Sequence, residues 1–263
     1  MKYIKYLALI LVAAFIAAAV YFKSFDNFKA FFNKAEESVS SVETPSVETK
    51  KEESSAPDNN AKLQISRDEL IKRGESGDIK SQILLGDMYR LDGTEYGFTQ
   101  DAKEAFKWYK KAADQGDAFA QYNLAFLYYD GEGVEQDYKS AFEWFKKSAE
   151  QGYIEGQYNL ASLYRMGRGV EANPEEAFKW LERAANQGYD QAQLAMGTLY
   201  EAGQIVDKDP MKALMWMTLL SQNGEEQTKE YLKYFLEKNT YTPEQIAEAE
   251  KLAREWKPVK EQK

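Results

Sequence analysis

The chain has 263 residues, 44% of them hydrophobic, and a formal charge of −9. It contains no cysteine and no histidine, which excludes disulfides, thiolate nucleophiles, zinc sites built on Cys or His, and imidazole bases. The acidic balance also argues against a nucleic-acid partner, because gripping phosphate takes concentrated Lys and Arg.

The first elements concern the membrane. Lys2 and Lys5 precede a run from Leu7 to Phe22 that carries no charge. Basic, then apolar, then polar is the order of a secretory signal or an amino-terminal anchor. The run falls short of the roughly 20 residues that span a bilayer, although Tyr3, Ile4 and Tyr6 extend it. Ala17, Ala18 and Ala19 offer a small-residue cleavage site, but Val20, Tyr21 and Phe22 continue the apolar run past it. Tyr21, Phe22 and Lys23 resemble an interfacial edge. For residues 1–23 an uncleaved anchor is the favoured expectation and a cleaved signal the alternative. Lys2 and Lys5 favour a cytoplasmic amino terminus, although Lys23 and Lys29 weaken the contrast. The expected protein is therefore single-pass in the inner membrane with its body in the periplasm; cleavage would leave it secreted or soluble there.

Residues 24–33 hold four phenylalanines and suggest a short amphipathic helix along the membrane surface. Residues 34–62 are rich in Ser, Glu, Lys and Pro and lack any aromatic. Such a stretch buries too little apolar surface to offset its ordering entropy, so a disordered linker is expected. Residues 63–80 are expected to form an amino-terminal capping helix, in which Arg67 to Gly77 matches the closing half of a longer unit.

That unit repeats. Trp108, Trp144, Trp180 and Trp216 stand 36 residues apart, and Ala105, Ala141, Ala177 and Ala213 keep the same spacing, as do Gly116, Gly152, Gly188 and Gly224. A fixed period of this size signals stacked supersecondary units. Four units are read, at 81–117, 118–153, 154–189 and 190–224. In the first half of each, a small residue (Ser81, Ala120, Gly156, Ala192) is followed at helical spacing by Leu85, Leu124, Leu160 or Met196. Tyr89, Tyr128, Tyr164 or Tyr200 then continues the same helix face. A glycine turn follows: Gly131-Glu132-Gly133, Gly167-Arg168-Gly169, then Gly203. No strand precedes these glycines, so they are not read as a phosphate loop. The second half carries Ala-Phe-x-Trp in the first three units and Ala213-Leu214-Met215-Trp216 in the last. Lys110, Lys111, Lys146, Lys147 and Arg183 sit in the closing turns, where cations suit the helix dipole. Residues 225–257 read as two carboxy-terminal capping helices, the second opened by Thr242-Pro243-Glu244-Gln245, and 258–263 as a tail. The fold class is all-α.

These motifs resemble the Sel-one-like repeat (SLR), a relative of the tetratricopeptide repeat, over residues 81–224. The run AxYNLAxLYxxGxGV of unit two, repeated in unit three with Gly156 in place of the first alanine, and the Ala-Phe-x-Trp run carry the likeness. It implies an α/α solenoid of antiparallel helix pairs whose concave face binds a protein or peptide. The first unit departs from the pattern by its longer turn at 92–101, and the fourth by Gln204-Ile205 in place of the tight turn. The first helices of such pairs line the inner surface. Candidate partner-binding residues are therefore Tyr122, Asn123, Phe126, Tyr158, Asn159, Ser162 and Arg165, with Arg168 beside them. Asparagine suits a sequence-tolerant clamp because it offers a donor and an acceptor; the alternative is that Asn123 and Asn159 bond neighbouring helices and that Tyr122 and Phe126 pack between adjacent repeats. Replacing Asn123 and Asn159 with alanine is thus expected to weaken binding and leave the melting temperature nearly unchanged.

No catalytic residue, metal, cofactor or small-molecule substrate is expected. The leading function is a membrane-tethered, non-catalytic adaptor. A periplasmic immunity-type inhibitor of a toxin is the alternative, and a carboxylate-based cell-wall hydrolase a more remote one.

Overall fold

The computed structural model describes residues 65–259, apart from 92, 204 and 223–225 and the side chains of 95 and 227. The segments assigned above to anchor, amphipathic helix and linker lie outside the described residues. Among the described residues no helix is long and apolar enough to cross a membrane.

Eleven α-helices and no strand are formed by these residues. In chain order they are α1 (Arg67–Glu75), α2 (Ile79–Arg90), α3 (Ala102–Asp114), α4 (Ala118–Asp130), α5 (Tyr138–Glu150) and α6 (Ile154–Met166). Then come α7 (Pro174–Asn186), α8 (Asp190–Ala202), α9 (Pro210–Ser221), α10 (Glu226–Lys238) and α11 (Pro243–Glu255). The even-numbered helices from α2 to α8 are the first members of four pairs, and α3 to α9 the second. Substantial packing runs only between helices adjacent in sequence, except that α9 meets α11 as well as α10. This is the nearest-neighbour architecture of a solenoid. Helix α2 starts at Ile79, inside the stretch read as the capping helix, so the first pair begins two residues earlier than the periodicity suggested.

Local chemistry sets the ends of the helices. Asp101, Asp137, Asn173 and Asp209 cap the second helices, each side chain accepting from a backbone N–H of the first turn. The N–H groups of these same residues bond the carbonyls of Tyr89, Tyr128, Tyr164 and Tyr200 at 2.8–3.0 Å, which fixes each turn to its own pair. Thr242 and Gln245 form the reciprocal capping box of α11. The tail is pinned in part, since the N–H of Val259 bonds the Asn186 carbonyl at 2.8 Å.

Three repeating contacts join one pair to the next. The first is aromatic: Phe106, Phe142 and Phe178 meet Tyr128, Tyr164 and Tyr200 of the following pair edge-on, at 5.3, 5.2 and 6.0 Å between centroids. Helix α1 carries no such phenylalanine. The ring that meets Tyr89, at 5.1 Å, is Phe98 from the long turn of the first unit. Phe98 is 1% exposed and packs with Leu70, Leu85 and Trp108. The surplus residues read from the sequence as a larger loop therefore fill the end of the core.

The second contact is a ladder of glutamines. Gln82, Gln121, Gln157 and Gln193 are buried in the first helices. Each donates to a backbone carbonyl eight residues earlier, at Gly74, Ala113, Ala149 and Ala185. Their own carbonyl oxygens accept from the next unit: Gln115 donates to Gln82 at 2.7 Å, Gln151 to Gln121 at 2.7 Å and Gln187 to Gln157 at 2.8 Å. Because Gln82 bonds the end of α1 as its equivalents bond α3, α5 and α7, α1 serves as the second helix of a half unit.

The third contact explains the second glycine of each tight turn. Gly133 and Gly169 have φ of +72° and +74°, and a Cβ there would lie 2.1 Å from the Ala102 carbonyl oxygen and 2.0 Å from that of Tyr138. The turn thus presses against the start of the preceding second helix, where only glycine fits. Ile205 stands at the equivalent place in the fourth unit, and no described non-glycine residue has positive φ, so that turn takes another conformation.

The tryptophans set the spacing of the second helices. Trp108 and Trp216 are buried, whereas Trp144 and Trp180 are half-buried and bridge the cores of adjacent pairs. Lys111, Lys147 and Arg183 lie over the rings of Trp108, Trp144 and Trp180 at 3.9, 3.8 and 4.6 Å. These cations, expected to complement the helix dipole, also roof the rings three residues before them.

Candidate protein-interaction surface

Helices α4 and α6 present matching positions one period apart: Tyr122 and Tyr158, Asn123 and Asn159, Phe126 and Ser162, Tyr129 and Arg165. Tyr122, Phe126, Tyr158, Asn159 and Ser162 are half-buried and Arg165 is exposed, so each keeps surface that a partner can reach. Tyr122 and Phe126 also rest on Phe145 of α5, at 5.9 and 5.2 Å, which fixes their inner edges.

Asn123 is placed differently. It is 5% exposed, its Nδ2 donates to the Phe119 carbonyl at 3.0 Å, and its Oδ1 accepts from Arg90 Nη1 at 3.3 Å. Both ends of the amide are used inside the array. Asn159 makes the corresponding bond to the Glu155 carbonyl at 2.8 Å but stays half-buried. Arg168 is likewise spent within the protein: it donates to the Tyr129 hydroxyl and lies 5.5 and 5.2 Å from the rings of Tyr129 and Tyr138.

Arg90 makes the equivalent bridge one unit earlier, pairing its Nε with Glu132 at 3.3 Å. The same inter-unit contact is therefore an ion pair at one step and a guanidinium against tyrosine at the next. Beside Arg90, Asp87 accepts from the Tyr109 hydroxyl at 2.5 Å, and burial holds its carboxyl above the usual range.

The periodicity did not single out the group at the start of α6. Tyr153 and Tyr189 occupy the N-cap positions of α6 and α8, where α2 and α4 have Asp78 and Asp117, and neither tyrosine makes a side-chain cap. Instead their rings turn onto the preceding first helix. Tyr153 meets Tyr122 and Tyr189 meets Tyr158, both at 5.1 Å between centroids. Among these rings lies Glu155, whose charge acts on the Tyr122, Tyr153 and Tyr189 hydroxyls. Burial raises the Glu155 carboxyl, opposed by its own backbone N–H and by Tyr153. Burial and the Glu155 charge push the Tyr189 hydroxyl up to about 12 and raise those of Tyr122 and Tyr153 as well. The signal was present, since Tyr153 and Tyr189 are one period apart, but it also marks the unit boundary.

Among the described residues no group of three His, Cys, Asp or Glu side chains is arranged to hold a metal ion. An open cleft of about 420 Å³ lies beside α10, lined by Ser221, Lys229, Leu232, Lys233, Leu236 and Glu237, away from α4 and α6.

The comparisons with known proteins agree with this architecture. The Sel1 repeat model matches residues 79–117, 118–153, 154–189 and 190–225. None of the curated protein sequences compared matches the chain. Among solved structures, the protective antigen of uropathogenic Escherichia coli strains, described as displaying an SLR fold, is 35% identical with a TM-score of 0.61. That match covers 66% of this chain and 37% of the antigen, so most of the antigen has no counterpart here. A Sel1 repeat protein from Oxalobacter formigenes is 27% identical with a TM-score of 0.59, covering 73% of this chain and 79% of the other. An immunity protein from Pseudomonas aeruginosa, 23% identical with a TM-score of 0.40 over 70% of this chain and 69% of its own, is too distant to bear on function. Repeats of this type are generally a non-catalytic protein-interaction fold. With four matched units over more than half of its length, the chain belongs to the Sel1 repeat family.

Proposed function

We propose that this protein is a non-catalytic scaffold that holds a protein or peptide in the groove lined by its first helices. Residues 1–23 tether it to the membrane and the repeats lie on the periplasmic side. The observation that carries the reading is the paired, half-exposed surface of Tyr122, Phe126, Tyr158, Asn159, Ser162 and Arg165 on two successive first helices. Aromatic side chains with arginine are the composition that interface centres favour. The uncharged run from Leu7 to Phe22 behind Lys2 and Lys5 supports the tether.

A photo-crosslinking amino acid placed at Tyr158 of the full chain in intact cells tests the surface. A discrete adduct with one protein is expected from position 158 and none from Glu143, an exposed site on a second helix. No adduct at 158, or equal labelling at 143, overturns the assignment. Protease digestion with and without permeabilising the outer membrane tests the periplasmic placement separately; a repeat domain degraded only after the inner membrane is broken would refute it.

A further inference from the structure

Glu155 is a half-buried carboxylate in the first turn of α6, where the helix N-terminus is its only positive neighbour among the described residues. Among the described residues no lysine or arginine forms an ion pair with it, and only Tyr153 and its own backbone N–H oppose the rise of its carboxyl. Partial burial still makes the ionised form costly, and an opposite charge of a partner would relieve it. The surrounding rings suit one, because the face of a tyrosine attracts a cation.

The protein already builds the complete arrangement once. Tyr129 and Tyr138 stand 5.2 Å apart at 65°, with the Arg168 guanidinium 5.5 and 5.2 Å from their centroids. Tyr122 with Tyr153 (5.1 Å, 55°) and Tyr158 with Tyr189 (5.1 Å, 59°) reproduce that ring geometry. Among the described residues no arginine or lysine lies over the rings of either pair, although the Arg90 charge reaches the Tyr122 hydroxyl. They share Glu155 instead, and all of these tyrosines remain partly exposed. The two tyrosine pairs, joined at a carboxylate, therefore offer ring faces and a negative charge to a guanidinium or ammonium group.

We propose that Glu155, with Tyr122, Tyr153, Tyr158 and Tyr189, is the seat of a lysine or arginine side chain of the protein partner. The proposal rests on the scaffold reading and gives it a chemistry: a basic anchor residue that enters between successive units and neutralises Glu155. The chain's net charge of −9 favours the approach of such a partner.

The test is selection of displayed random peptides against the full chain in detergent micelles, followed by affinity measurement on wild type and Glu155→Gln. Enriched peptides are expected to share a Lys or Arg, to bind Glu155→Gln at least roughly tenfold more weakly, and to lose the same factor when that basic residue becomes glutamine. In Glu155→Gln the peptide substitution should cost nothing further, which a role in folding alone would not produce. An unchanged or raised melting temperature of Glu155→Gln shows that the fold is kept. Peptides without a basic residue, or with affinity indifferent to Glu155→Gln, overturn the proposal. If those peptides are still lost on replacing Phe126 and Arg165, the scaffold reading stands without it. No enrichment above the non-displaying control counts against both.

Discussion

Gln151 donates a hydrogen bond of 2.7 Å to Gln121, and Gln121 passes the connection on to the Ala113 carbonyl at 3.3 Å. Each rung thus joins two consecutive units through a side chain that is itself buried, where an unmatched polar group is costly. Gln121→Leu keeps the volume but strands both partners, and a loss of about 2 kcal/mol is expected in chemical denaturation. Gln193→Leu should cost less, about 1 kcal/mol, because the Gln193 carbonyl oxygen has no partner among the described residues. Equal losses at the two sites would mean that the bond accepted from the next unit adds nothing to stability.

A comparison of two glycines separates conformation from contact. Gly116 has φ of +95° with nothing within 4 Å of an added Cβ, whereas Gly133 has φ of +72° and the Ala102 carbonyl 2.1 Å away. Gly116→Ala should cost about 1 kcal/mol, the penalty of left-handed backbone alone. Gly133→Ala adds the displacement of the turn from α3 and should cost at least about 1 kcal/mol more. Thermal melts of the two variants decide it.

The acid limb of stability is expected to report on Glu155. Because burial raises its carboxyl in the folded state, the folded protein binds that proton more tightly than the unfolded chain does. Its contribution is therefore most favourable below the unfolded glutamate value, about 4.3, and is lost as pH rises through the raised folded value. Glu155→Gln should melt above wild type at neutral pH, and the gap should close as the pH falls toward 4.3 and below. A gap that widens on acidification would have the wrong sign and would mean that the ionised group is stabilising.

Asn123→Ala is expected to lower stability by about 1 kcal/mol, because it frees the Phe119 carbonyl and one arm of Arg90. The burial of Asn123 argues against the expectation from sequence that Asn123 and Asn159 together could be replaced with little change in melting temperature. Asn159→Ala, at a half-exposed site, should cost less. Urea titrations of the two single variants make the comparison.

The regular part of the fold was legible because its signals are apolar and periodic. Trp108 to Trp216, the Ala-Phe-x-Trp run and the Tyr89 series mark core positions of successive helices, and Thr242 with Gln245 marks a helix start. The glutamine ladder kept the same period, at Gln115, Gln151 and Gln187 and at Gln121, Gln157 and Gln193, yet a polar residue near a helix end reads as solvated surface until its partner is seen. Phe98 was illegible for a different reason, since its role depends on a ring that α1 lacks. In the candidate surface, helical spacing placed Tyr122, Phe126, Tyr158 and Ser162 on one side of α4 and α6. The distance between Tyr122 and Tyr153, which are 31 positions apart in the chain, is set by how units stack, and nothing local encodes it.

Phe98 has a consequence for how the amino-terminal end is fastened. Its ring, carried by the turn of the first pair, is buried between Leu70 of α1 and Tyr89 of α2. Helix α1 is thus clamped by a residue that comes after it in the chain. Removing that ring, as in Phe98→Ala, should let α1 open before the rest of the array, visible as early amide exchange over Arg67–Glu75 while the later pairs stay protected.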